Sequence, residues 1–154
     1  QSIGNDWLNF IILLPILLFA WEAAHRLHRM GGFDGTGRRF NAAALTGLLS
    51  GWASVAISIS LPGLVRDIQG AGPTDHVWIS LWIALITAGT LAWAYSVRVS
   101  RGLFYFIALS WGLIGIVINN WYLTGLNWLA IAAALSGAFI LWRRFKGGAR
   151  PAFE

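Results

Sequence analysis

Long apolar runs, each closed by glycine, asparagine or arginine, repeat five times along this chain. A helix rising about 1.5 Å per residue needs roughly 20 apolar residues to cross about 30 Å of hydrocarbon, so each run has the length of a membrane span. The predicted spans are about 6–30, 41–63, 75–99, 102–122 and 127–146. Asn5 or Asp6 caps the first, and Gly31-Gly32 stops it. Pro15 removes one backbone hydrogen bond in mid-membrane, a bend expected to be covered by neighbouring helices. Asn41 is placed to cap the second span and Pro62-Gly63 to end it. Thr74 or Asp75 opens the third, Ser100-Arg101-Gly102 turns into the fourth, and Thr124-Gly125-Leu126-Asn127 turns into the fifth. The pattern predicts an all-α polytopic membrane protein, one helical-bundle domain over residues 1–154.

Composition supports this reading: 57% of the residues are hydrophobic, 11% are charged, and the mean hydropathy is +0.65. The sequence pI near 10.8 would suit a nucleic-acid binder. However, the basic residues stand in short clusters between apolar runs and form no long basic surface, so nucleic acid is not an expected partner. Arg26, Arg29, Arg38, Arg39, Arg98, Arg101, Arg143, Arg144, Lys146 and Arg150 all flank alternate loops or the C-terminus, whereas Arg66 alone falls on the opposite side. The positive-inside bias then puts the N-terminus out and the C-terminus in, with five spans, in a bacterial inner membrane. The first apolar run continues into a long span without a small-residue cleavage site, so it is expected to stay as an anchor. No cysteine is present, which removes disulfides, thiolate metal sites and cysteine nucleophiles.

Packing signals come next. Gly47, Gly51, Ser54 and Ser58 fall at i, i+4, i+7 and i+11, one face of the second helix, and Ala132/Ser136 with Ala133/Gly137 repeat the pattern in the fifth. Small side chains let helix backbones approach closely in lipid, so both faces read as helix-packing seams. Of the ten Trp, Trp7, Trp21, Trp78, Trp82, Trp93, Trp121, Trp128 and Trp142 lie towards span ends, where an aromatic belt is expected. Trp52 and Trp111 lie near mid-span, close to Gly51, Gly112 and Gly115. Either they fill space opposite those glycines, or they line a shared pocket for a hydrophobic ligand.

Candidate chemistry is sparse. Glu22 falls short of the inner boundary, with His25 at i+3 and Arg26 at i+4, so the trio is a candidate ion or proton site. Burial would raise the carboxylate's pKa and let Glu22 and His25 share an exchangeable proton. The alternative is an ion pair with Arg26 that fixes helix depth. His25 and His28 lack a third ligand, so no metal is expected, and no cofactor is implied. Gly31-Gly32-Phe33-Asp34-Gly35-Thr36-Gly37 lacks the spacing and lysine of a phosphate cradle. Arg38 and Arg39, like Arg143, Arg144 and Lys146, are expected to meet lipid headgroups. Asn119, Asn120, Tyr122, Asn127 and His76 form a polar, weakly charged outer rim.

No catalytic set is visible: there is no second close carboxylate, Ser/His pair or metal group, and the chain reads as a non-enzyme. The first expectation is a protein acting through helix–helix assembly, an accessory subunit or a self-assembling bundle, partnered by lipid, copies of itself or other membrane subunits. A pore or carrier, including a holin-like permeabilising oligomer, is the alternative. A membrane sensor that binds a hydrophobic ligand is the third. In outline the five-helix, tryptophan-rich pattern is similar to the tryptophan-rich sensory/translocator proteins, but their Trp-x-Pro-Pro type motif is absent from the first loop, and outline does not carry function.

Overall fold

The computed structural model describes residues 6–30, 34–72 and 75–124, together with Ala132, Leu135, Gly137, Ala138 and Trp142. Four helices account for most of it: α1 (Asp6–Arg29), α2 (Thr36–Gln69), α3 (Val77–Arg98) and α4 (Leu103–Thr124). The described residues contain no strand. Three of the helices, α1 to α3, are long and apolar enough to cross a membrane. The fifth expected span, 127–146, falls largely outside the described residues.

The second helix departs from its predicted bounds at both ends. It starts at Thr36, so Asn41 lies in its second turn and caps nothing; the N-cap is Gly35, at φ 90°. It also continues through Pro62-Gly63, both buried. Proline deletes one hydrogen bond and crowds one carbonyl, and packed neighbours tolerate that defect inside a membrane helix. The real stop is Gly70. There the chain turns left-handed (φ 63°), the Ala71 N–H donates to the Arg66 carbonyl and the Gly70 N–H to that of Asp67. This is a Schellman closure, and its C′ position favours glycine because a side chain resists positive φ. Likewise Asp75 does not cap α3. Its carboxylate accepts the Gly72 N–H at 2.8 Å and closes the preceding turn, while His76, at φ 54°, precedes the helix. The predicted Ser100-Arg101-Gly102 turn is present, with the Gly102 N–H donating to Ser100 Oγ at 2.9 Å. In α1 the helix runs on past Pro15, whose ring is exposed rather than covered by a neighbour.

The bundle is built around α2, which packs on each of the other three helices. Against α4 the approach is backbone to backbone. A Cβ added to Gly47 would lie 2.8 Å from Phe104 Cβ, and one added to Gly51 would lie 2.5 Å from the Tyr105 carbonyl oxygen and 2.8 Å from Ala108 Cβ. Val55 returns the fit, its methyls filling the space where Gly112 has no side chain. Both helices advance in the same direction through these contacts, so α2 and α4 are parallel. Arg66 pairs with Ser80 at one end, whereas Ser50 lies beside Tyr95 at the other, so α3 runs antiparallel to α2.

On the outside, Ile11, Leu18, Phe19, Leu45, Ile79, Ile86 and Ile114 are exposed, an apolar girdle suited to lipid and not to water. Inside, most hydroxyls other than that of Ser50 are satisfied locally. Ser54 and Ser58, both buried, and the half-buried Ser60 and Thr46 each donate to the carbonyl four residues back, which removes the need for water.

A lateral groove beside Trp52 and Trp111

The seam predicted on α2 is occupied by this same chain. Gly47, Gly51, Ser54 and Ser58 are all buried, with the two glycines against α4. Ser54 accepts a hydrogen bond from the Tyr105 hydroxyl at 3.1 Å. Of the second small-residue pattern, Ala133 and Ser136 lie outside the described residues. Ala132 is half-buried in a shallow recess with Trp82, Gly89, Thr90 and Trp93 from α3, and a Cβ on Gly137 would meet nothing within 4 Å.

Trp52 and Trp111 do not fill the space opposite Gly51 and Gly112, which Tyr105, Ala108 and Val55 already occupy, and the space opposite Gly115 stays open. A helix turns about 100° per residue, so the geometry that buries Gly51 throws Trp52 outward. The two indoles are 54% and 79% exposed, and together they border two grooves. One, about 540 Å³, runs between α2 and α4 past Leu48, Phe106, Ile107 and Ile114, and is almost wholly apolar. The other, about 500 Å³, opens between α2, α3 and α4. Ile59, Leu81, Ala84, Gly112 and Gly115 form its walls, and Arg66 and Ser80 stand at its far end. There Arg66 Nη1 donates to Ser80 Oγ at 3.3 Å. Arg66 was visible in the sequence as the lone basic residue on its side, but only the fold brings it to the groove.

The ionisable trio resolves differently. Arg26 Nε donates to Glu22 Oε1 at 2.7 Å, and both side chains are exposed. Glu22 is therefore not sealed in the bundle, which removes the burial on which a shared proton with His25 would depend. His25 and His28 are half-buried, each with an Nδ1 lacking a hydrogen-bond partner, and among the described residues no third ligand gathers with them. Arg38 and Arg39 are exposed in the first turn of α2, where the helix dipole disfavours a cation. Arg143, Arg144 and Lys146 lie outside the described residues.

Sequence reasoning missed an aromatic cluster drawn from α1, α3 and α4 and backed by the serines of α2. Tyr95 and Tyr105 stack at 3.7 Å between ring centroids, 6° from parallel, and Trp21 meets Tyr95 edge-on at 5.6 Å. Trp21 thus packs inward against Tyr95. Its Nε1 has no partner, and Ser50 Oγ lies beside Tyr95 short of hydrogen-bond geometry. A signal was present: Ala84, Ala88, Ala92 and Tyr95 share one face of α3 at i, i+4, i+8 and i+11, and all are buried. A tyrosine that continues a small-residue stripe belongs to the interior.

No known protein family, curated protein or solved structure matches this chain. The fold therefore defines the class by itself: an all-helical bundle with three helices long and apolar enough to cross a membrane.

Proposed function

We propose that this is a non-catalytic integral membrane protein that holds a hydrophobic molecule in its lateral groove, with five spans, the N-terminus outside and the C-terminus inside a bacterial inner membrane. The observation that carries it is the mid-span pair Trp52 and Trp111, exposed on the bundle surface and bordering apolar grooves. Indoles gain most at the membrane interface, where the ring is apolar and the N–H is wet. Two held out near mid-span gain instead from a flat apolar partner. The assembly reading loses its main support, because the α2 seam is filled by α4 of the same chain. A transport path through the core has little to use, since Ser50, Ser54, Ser58, Tyr95 and Tyr105 are fully enclosed.

The test is native mass spectrometry of the gently solubilised protein. Wild type is expected to carry a retained apolar molecule, and Gly115→Leu, which fills the groove, to lose it. Gly115 suits the test because a Cβ there meets no neighbour within 4 Å. Equal retention by both proteins would sink the ligand reading. A particle of several subunits in both would return the function to assembly through another face.

A further inference from the structure

We infer that the groove between α2, α3 and α4 holds one acidic phospholipid from the leaflet on the Arg66 side, with its phosphate on the Arg66 guanidinium and an acyl chain running to Trp52 and Trp111. The inference rests on the ligand reading above and adds the identity of the ligand.

Length supports it first. Fourteen residues separate Trp52 from Arg66 on α2, about 21 Å of helix. Half of a bilayer roughly 40–45 Å thick, headgroups included, is the same distance. Arg38 stands fourteen residues from Trp52 in the other direction, so the two arginine levels bracket a bilayer with Trp52 at its middle. The groove thus spans one leaflet, from headgroup to chain end.

Charge supports it second. Arg66 is half-buried and has no carboxylate partner among the described residues. Asp67 is exposed beside it, and the Asp75 carboxylate is held by the Gly72 N–H. A guanidinium at headgroup depth without a counter-ion takes phosphate oxygens in its planar fork. Ser80 accepts one N–H from Arg66 and keeps its own proton for a phosphate oxygen. Below the polar pair, the bare backbone at Gly115 leaves the width that a methylene chain needs.

The full chain is reconstituted in vesicles of mixed phosphatidylglycerol and phosphatidylcholine, with brominated acyl chains on one lipid or the other, and tryptophan quenching is measured. Phosphatidylglycerol is expected to compete about fivefold better than phosphatidylcholine for the quenching site, the order contributed by one basic residue at a membrane surface. Changing both Trp52→Phe and Trp111→Phe should remove that preferential component, which locates it. Arg66→Gln should abolish the preference and keep the quenching. Gly115→Leu should lose the site for both lipids, with its helix content checked by circular dichroism. If Arg66→Gln retains the preference, the headgroup assignment is overturned while the groove reading stands. If Gly115→Leu quenches like wild type, the groove reading fails, and this inference with it.

Discussion

Trading the two Val55 methyls for one on Gly112 tests the α2–α4 packing directly. A Cβ on Gly112 would sit 2.5 and 2.6 Å from the two Val55 methyls and 3.0 Å from Val55 Cβ. Valine is stiff at χ1 in a helix, and with both methyls equally close no rotation relieves the clash. Overpacking of this kind costs typically about 1–3 kcal/mol, against which alanine returns up to about 1 kcal/mol of helix propensity over glycine. Gly112→Ala should therefore destabilise by about 1–2 kcal/mol. Val55→Ala empties a buried site and should cost about 1–2 kcal/mol through lost packing. Together the two changes remove the clash and refill part of the space, so the double variant should fall well short of the sum, with a coupling of at least about 1 kcal/mol. The assay is reversible unfolding in mild detergent followed by circular dichroism. Additive losses within about 0.5 kcal/mol would refute the contact.

Gly51→Ala should cost more than Gly112→Ala and resist rescue by Ala108→Gly, because its new Cβ lies 2.5 Å from the Tyr105 backbone carbonyl, which no side-chain truncation moves; the same unfolding assay decides it. Tyr105→Phe should lose about 0.5–1.5 kcal/mol, the net worth of one hydrogen bond to Ser54, and keep the ring stack. A larger loss would mean that the hydroxyl orders more than Ser54. Glu22→Gln should leave the unfolding midpoint unchanged, since the pair with Arg26 is exposed at both ends. A clear drop in the midpoint would show that the pair anchors α1 after all.

Helix number and placement were legible through Thr124 because apolar length is a strong signal, and the described helices begin and end within a few residues of most predicted spans. The exception was α2, where Asn41 and Pro62-Gly63 were read by rules drawn from helices in water. In a bundle, buried neighbours hold a proline inside the helix, and the decisive stop is the backbone closure at Gly70. The small-residue face of α2 was legible as a seam, but its partner was not, because spacing alone does not say which helix arrives. Trp52 and Trp111 were identified as unusual from depth alone. Arg66 stands out for its charge, and nothing local in the sequence ties it to the α4 residues Trp111, Gly112, Gly115 and Ile116.

The groove follows from two contacts that act at opposite ends of the bundle. At the end holding the start of α4, the Tyr95–Tyr105 stack pins α3 to α4 at 3.7 Å. Towards the Arg66 end, α4 stays on α2 through Val55 and Gly112, whereas α3 leans on α2 through Arg66 and Ser80. Each helix follows α2, and among the described residues no second ring stack joins α3 to α4, so the space between Ala84 and Gly115 is left open. The aromatic pin and the groove are thus one construction. Tyr95→Leu removes the pin and should change groove width and bundle stability together, while Gly115→Leu should change the groove alone. Lipid retention and unfolding midpoint, measured on both variants, separate a built site from a gap left by loose packing: a gap would tolerate Gly115→Leu with a gain in stability and no loss of retained lipid.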